Sequence, residues 1–493
     1  MSKFSELLEQ YVTKSGLSDG YLARASGFSR SYVTKITNGQ RFSSDLERMT
    51  KMLDALPLTS TEYNELWNLY MEQLMGKDGH DLNNAVLNFL ESFKHISTLP
   101  VHVVARYQCE MPEQQIFDSR EDICYLTRIL IEQEASKSDG HLRLLVQPEE
   151  KEVLEALKSG LRMNPDFQVE HLVGLEQCMD SRKEKYYNIQ LFQQLIPVIL
   201  CQQTAKYKIY CHYERLESYF SQFCIMPYYI ITGDTVLNID SGFRKAILWR
   251  NPEIHSFYAS EFDRLISKSH QLCDIAENVM ENCLDQTLLM EKDPVYCMGS
   301  QPCVGAAGSD MLFQKYALDI NQDVIVMMMK TNQMNRDYLV HAKVTSYFTK
   351  AGIWELMTKG RLEEVPSELY RPLEMEDRCM ILEKILKLAE EGVYAPHIID
   401  EKKFCYPPGL VIDSYGEGKI VIYYNSEQKE KRFTIKESTL ATRFRDFLEK
   451  FHESIYVYSV KDTAAFLESV LRQCKKEMSE EQESTGVTEG NTE

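Results

Sequence analysis

The sequence predicts a multi-domain chain: an all-α head of five short helices over residues 1–76, then a larger mixed α/β (or α+β) body. Three observations lead there. A chain of 493 residues is too long for one hydrophobic core. Its first 76 residues carry apolar positions at helical spacing, each run bounded by capping residues. Beyond Pro100 short β-like runs alternate with longer helical stretches.

In the head, Phe4, Leu7, Leu8, Tyr11 and Val12 form the apolar stripe of a first helix that Gly16 stops. Ser18 caps a second carrying Leu22 and Ala23, and Gly27 breaks it where a tight turn needs a residue without a Cβ. Ser29 caps a third, Arg30 to Thr37, with Val33 and Ile36 inward, and Asn38-Gly39 closes it. Ser44 with Glu47 reads as a capping box for a fourth helix carrying Leu46, Met49, Met52 and Leu53, which Pro57 ends. Thr59-x-x-Glu62 opens a fifth, with Leu66, Leu69, Tyr70 and Leu74, running to Gly76.

Charge supports a particular use of this head. The chain is acidic, at −19 overall, a balance that disfavours nucleic acid in general. From Arg24 to Lys51, however, six basic residues (Arg24, Arg30, Lys35, Arg41, Arg48 and Lys51) face only Asp45 and Glu47. A small basic face on an acidic body suits a protein that touches DNA at one end. The stretch Leu17 to Gly39, with its Leu22-Ala23 pair, turn residue Gly27, Ser29-capped helix and closing Asn38-Gly39, resembles the Cro/XRE-type helix-turn-helix of phage repressors. The resemblance implies that the third helix enters the major groove. Arg30 and Lys35 would then reach guanine O6 and N7, Ser31 and Thr34 would serve either base type, and Tyr32 would pack on a thymine methyl or sugar. Ser29 caps that helix, and Asn38, Gln40 and Arg41 just beyond it would contact phosphate, fixing position rather than sequence. Two positions depart from the family pattern. Asp19 stands where the family often has Gln and would repel a phosphate, and Thr37 stands where a Glu is common.

Along the rest of the chain, residues 77–100 are expected to form a linker helix with Val86, Leu87, Phe89, Leu90 and Phe93 on one face. Strands are expected at Leu142–Val146, Tyr207–Tyr213, Cys224–Ile231, Val324–Met329, Leu410–Ile412, Ile420–Tyr424 and Ile455–Val460. Helices are expected at Glu149–Leu161, Ser260–Leu284, Met375–Glu391 and Leu440–Phe451. An internal similarity sets Tyr207, Pro227–Ile231, Ala246–Leu248 and Phe262 against Tyr394, Pro408–Ile412, Ile420–Ile422 and Phe444. Two related lobes, 101–290 and 291–476, would explain it, as would the ordinary grammar of strand, strand and helix. Residues 477–493 read as an acidic disordered tail.

Motifs for chemistry are absent: no Gly-x-x-x-x-Gly-Lys-Ser/Thr, Gly-x-Ser-x-Gly or His-Glu-x-x-His occurs. Gly305 to Ser309 reads as a turn rather than an anion cradle. His270 and Cys273, with Cys283, Cys297 and Cys303, match no standard zinc spacing and read as buried thiols beside a surface histidine. Phe220, Phe223, Tyr228 and Tyr229 read as core, with a ligand pocket as the alternative. No catalytic residue, metal or cofactor is therefore assigned. Thirteen cysteines without a Cys-x-x-Cys, no signal-like start and no long apolar run point to the cytoplasm and to no membrane partner. The expectation is a sequence-specific transcriptional regulator of double-stranded DNA. It would act as a homodimer, and its body would pair the two copies or sense a small-molecule or peptide effector. The alternative is an enzyme or toxin-like effector whose head serves autoregulation or targeting. The apolar stripe of Phe262, Leu265, Ile266, Leu272, Ile275, Val279 and Cys283 is the expected dimer surface, with coverage of its own sheet as the other reading.

Overall fold

Five helices build the head: α1 (Lys3–Ser15), α2 (Asp19–Ser26), α3 (Arg30–Thr37), α4 (Leu46–Asp54) and α5 (Ser60–Ser92). The computed structural model describes residues 2–94, 113–176, 186–201, 206–214, 225–275, 294–318, 322–363, 365, 369–416, 419–426 and 429–488. Each head helix starts where a side-chain oxygen accepts an otherwise orphaned backbone N–H, from Ser2, Ser18, Ser29, Asp45 and Thr59 in turn. The fourth cap is thus Asp45, one residue after the expected Ser44, because Asp45 accepts the Arg48 N–H directly. Leu8, Leu22, Val33, Met49, Met52, Leu53, Leu66 and Tyr70 are fully buried together, so the head has its own core.

Helix α5 does not end at Gly76. It breaks there, at φ 76° and ψ 159°, and continues to Ser92. That conformation is open essentially to glycine alone. The second half, expected as a linker, is a core element of the body instead. Phe89 packs on Phe192 at 5.5 Å and on Phe444 at 4.8 Å, and Val86, Leu90 and Phe93 are buried beside it. A helix face this apolar is stable only when covered.

The body holds two mixed sheets. The first comprises β1 (Gln114–Phe117), β2 (His141–Leu145), β3 (Gln168–Glu176), β4 (Tyr207–Glu214), β5 (Tyr228–Ile231), β6 (Val236–Ile239), β7 (Ala246–Trp249) and β8 (His270–Gln271), in the order β1-β7-β6-β5-β2-β3-β4-β8. Its helices are α6 (Arg120–Ala135), α7 (Lys151–Met163), α8 (Tyr187–Cys201) and α9 (Pro252–Ile266). The second comprises β9 (Cys273–Ile275), β10 (Val295–Met298), β11 (Val344–Phe348), β12 (Tyr394–Ile398), β13 (Leu410–Tyr415), β14 (Lys419–Ser426) and β15 (Lys429–Ile435), in the order β12-β11-β10-β13-β14-β15-β9. Its helices are α10 (Asp310–Tyr316), α11 (Gln322–His341), α12 (Lys350–Lys359), α13 (Met375–Glu390), α14 (Ser438–Phe451) and α15 (Val460–Thr488).

The two sheets are wired alike. In each, a central strand (β2; β10) pairs in parallel on one side (β2-β3-β4; β10-β11-β12) and with an antiparallel meander on the other (β5-β6-β7; β13-β14-β15). In each an early strand closes the meander edge, β1 on β7 and β9 on β15. In each a helix follows the meander and the chain returns to the far edge, β8 on β4 and Val457 against Ile399 just past β12. The internal similarity is therefore a repeated topology, with one shift. Ile420–Ile422 lies on β14, the counterpart of β6, whereas Ala246–Leu248 lies on β7. The change of sheet falls at Leu272 rather than near residue 290: its N–H donates to the Ile209 carbonyl at 2.8 Å, and its carbonyl accepts from Lys436 N at 2.9 Å.

Other expectations give way. Val324–Met329 lies inside helix α11, since a short apolar run fits a helix and a strand equally and its flanks are helical. Residues 455–459 form a loop leading into α15, where Asp462 N donates to the Ser459 hydroxyl at 3.1 Å. The long helix Ser260–Leu284 ends as α9 at Ile266, where Ser267 caps it. Phe262 is fully buried in the body core and Leu265 and Ile266 pack against it, so α9 covers its own sheet, while Leu272 and Ile275 belong to the strand segment that follows. Val279, Cys283, Cys224, Phe220 and Phe223 lie outside the described residues, as do 95–100 of the expected linker and 489–493 of the expected tail. Residues 477–488 continue α15 as helix.

Candidate nucleic-acid interface

Burial of Val33 and Ile36 fixes the rotation of α3 about its axis and turns Arg30, Ser31, Thr34 and Lys35 outward together, all four exposed. Ser29 holds the start of the helix by accepting the Tyr32 N–H at 3.3 Å. Before it, Gly27 at φ 78° makes the turn from α2, and the buried Ser26 hydroxyl bonds the Leu22 carbonyl at 2.6 Å while accepting from Phe28 N at 3.3 Å. The exposed face of α3 is thus held from both ends before any ligand arrives.

The cations divide into two sets. Arg48 pairs with Asp45 at 3.4 Å and lies over the Phe28 ring, and Lys51 pairs with Glu47 at 2.5 Å. Arg24, Arg30, Lys35 and Arg41 have no carboxylate partner among the described residues. The net positive charge of this end of the head is therefore concentrated on and beside α3, where an anionic backbone would meet it.

Three expected contacts are redrawn by their neighbours. The Thr34 hydroxyl lies 2.5 Å from Asp19 Oδ2 and 3.0 Å from the Arg30 carbonyl, so its proton is used inside the fold and only its lone pairs face a base. The same contact explains Asp19: it ties the start of α2 to the middle of α3. Tyr32 is half-buried, with its ring 5.2 Å from Phe28, its hydroxyl on the Phe42 carbonyl at 3.4 Å, and the Arg41 guanidinium 5.9 Å above it. These contacts tie Tyr32 to the following loop and to Arg41. Asn38 spends its side-chain oxygen on Gln40 N at 3.2 Å, holding a turn in which Gly39 takes φ 72°. Gln40 and Arg41 remain exposed, and Arg41 N bonds the Lys35 carbonyl at 2.9 Å, which sets the loop close against the end of α3.

Sequence reasoning missed how this loop is anchored. The buried Tyr70 of α5 donates its hydroxyl to the Ser43 carbonyl at 3.0 Å, and its ring packs on Phe42 and Phe4. Tyr70 was legible as a core position but not as the anchor of a loop 27 residues upstream. A second tie joins the first and last helices of the head. Glu62 accepts from Lys14 at 2.8 Å and from Thr59 N at 2.9 Å, and the Lys14 hydrogen bond, with the Thr59 bonds behind it, pulls its carboxyl down to about 2.

Residues 8–63 match the family model described as Helix-turn-helix. No curated protein matches the chain. Similar solved structures include polyphosphate kinase from Porphyromonas gingivalis, at 11% identity over 72% of this chain and 52% of that one, with a TM-score of 0.21. TrmBL2, an archaeal chromatin protein, matches at 11% identity over 55% of this chain and 94% of its own, TM-score 0.21. Phosphatidylserine synthase from Haemophilus influenzae Rd KW20 matches at 9% identity over 79% and 99%, TM-score 0.23. The chain spans about half the length of the polyphosphate kinase it matches. At these TM-scores the superpositions carry no weight for function.

Proposed function

We propose that this chain, whose head is a helix-turn-helix domain of the Cro/XRE type, is a sequence-specific DNA-binding transcriptional regulator acting in the cytoplasm as a homodimer. The observation that carries the reading is the single exposed face of α3. There Arg30, Ser31 and Lys35 point outward, and neither cation is paired with a carboxylate among the described residues. Arg30 and Lys35 supply donors for guanine edges, Ser31 serves either base type, and Gln40 and Arg41 hold the backbone phosphates. No helix among the described residues is long and apolar enough to cross a membrane.

One such helix reads only a few base pairs, so specificity calls for two heads on paired half-sites about 34 Å apart or a multiple of it. The body is the better source of the pairing surface, because the apolar residues of the head are spent on its own core. With the α9 stripe buried, the candidate shifts to the β1 edge. Its uncharged strand Gln114–Phe117 closes one side of the first sheet, and Ile116 there is 68% exposed, with Phe257 of α9 at 60%. Among the described residues no strand pairs with the outer side of β1, and an unpaired strand edge invites another strand. Selection of binding sites from a random duplex pool tests the function. Enrichment of a two-fold symmetric site is expected, whereas a pool that stays random would contradict it.

A further inference from the structure

A cavity of about 640 Å³ lies where the head meets the body. Its walls come from both sides of the Gly76 break. Leu46, Met71 and Leu74 belong to the head, Leu82 to the second half of α5, and Phe447 to α14 of the body. A volume of this size at a junction between folding units, apolar along one wall and polar along the other, is the ordinary form of a small-molecule site.

The polar wall is a row on α14, Arg443, Asp446 and Lys450, with Glu453 just past the helix end. Arg443 is paired with Asp446 at 3.6 Å. Glu453 stands 3.9 Å from the His452 imidazole with its side chain 71% exposed, at the outer rim. Alone of the four charged residues, Lys450 has no carboxylate within ion-pair distance among the described residues, so the cavity offers one unpaired ammonium above a floor of leucine, methionine and phenylalanine. We propose that it binds an amphipathic anion, a carboxylate or phosphate ester on an apolar tail, and that occupancy sets the angle between the DNA-reading head and the body. The anionic head sits on Lys450 and the tail lies against Met71, Leu74 and Leu82.

The coupling follows from position. A ligand there touches residues before and after the one point in α5 whose backbone is non-helical, so it favours whichever head angle closes the walls on it. A ligand with unequal affinity for two head angles must shift DNA affinity, and DNA must shift ligand affinity by the same factor. This second part rests on the DNA-binding reading; the binding of the anion does not.

Calorimetry on the full chain, with decanoate, decyl phosphate and neutral decanol as probes, tests the site, and duplex anisotropy with and without the tighter anion tests the coupling. At least one anion is expected to bind about ten-fold more tightly than decanol, with Lys450→Gln removing that advantage while leaving decanol unchanged. Which anion binds tells a carboxylate ligand from a phosphate ester. Saturating anion is expected to move DNA affinity by about five-fold or more. Absence of binding by both anions, or affinity indifferent to Lys450→Gln, overturns the site. Tight anion binding with unmoved DNA affinity overturns the coupling. A chain that binds the anion but no DNA in any condition instead overturns the function proposed above and leaves the site standing.

Discussion

Replacing Gly76 with alanine isolates the joint on which the arrangement of head and body depends. At φ 76° and ψ 159° an L-residue costs on the order of 1–3 kcal/mol. Space is not the difficulty, since a Cβ at this position would meet nothing within 4 Å. The strain is relieved if α5 straightens through residue 76, where alanine is favoured over glycine by about 1 kcal/mol. Together the two effects shift the balance from bent to straight by about 2–4 kcal/mol, roughly 30- to 1,000-fold. A straight α5 of 33 residues spans about 50 Å. It would carry the head away from α14, opening the cavity and releasing Ile455 from the apolar cluster of the head. Small-angle scattering of Gly76→Ala should therefore show a larger maximum dimension and radius of gyration than wild type, and trypsin should cut near Lys77. A variant with an unchanged scattering curve and unchanged cleavage would refute the reasoning, because the bend would then be held by something other than the glycine.

Other perturbations act at separate points. Glu363 is half-buried and accepts from Ser300 N at 2.8 Å and Gln301 N at 2.9 Å, and desolvation of its carboxyl pushes it up to about 7. The folded state thus binds this proton more tightly than the unfolded one, so its stabilising contribution is full below about pH 4.5 and lost as pH rises through 7. Unfolding free energies from urea titrations should fall across that window by on the order of 3 kcal/mol at most, and Glu363→Gln should flatten the slope. Gly352→Ala should cost at least about 1–3 kcal/mol in thermal melts, because its Cβ would lie 1.8 Å from the Ser300 carbonyl oxygen, a backbone atom with nowhere to go. If the β1 edge pairs the protomers, Ile116→Lys should convert a sedimenting dimer to monomer at micromolar concentration without lowering the melting temperature, and a variant that remains dimeric places the contact elsewhere.

The head was legible almost residue by residue because each of its signals is local. A cap acts within three residues, a turn glycine acts at its own position, and a helical stripe repeats every turn. Ser18, Ser29 and Thr59 cap the helices expected of them, and Val33 and Ile36 point inward, so the outward face of α3 follows from the period alone. What failed in the head was non-local. Thr34 meets Asp19 and Tyr32 meets Phe42 across folds of the chain, and nothing in their immediate neighbours announces it. In the body the central strands carry less signal. Strands buried on both faces read as plain apolar runs, so Val324–Met329 fits a strand pattern yet is helix, and the apolar spacing from Ser260 to Leu284 runs on past a Ser267-Lys268-Ser269 turn that ends the helix. The repeat was visible in proline and aromatic spacing. A Gln-Pro step shortly after the first parallel strand of each sheet, Gln147-Pro148 after β2 and Gln301-Pro302 after β10, strengthens it.

The central claim is that α3 reads base sequence. Anisotropy on the selected duplex and on a scrambled one of equal length measures it, for the wild type, Arg30→Ala, Lys35→Ala and Arg41→Ala across a range of salt. Loss of either α3 cation is expected to weaken the selected site by about 1–3 kcal/mol and to narrow its advantage over the scrambled duplex. Loss of Arg41 is expected to weaken both duplexes alike and to reduce the salt slope by about 1. Equal binding of the two duplexes by the wild type, or Arg30→Ala and Lys35→Ala variants that keep full discrimination, would contradict the assignment.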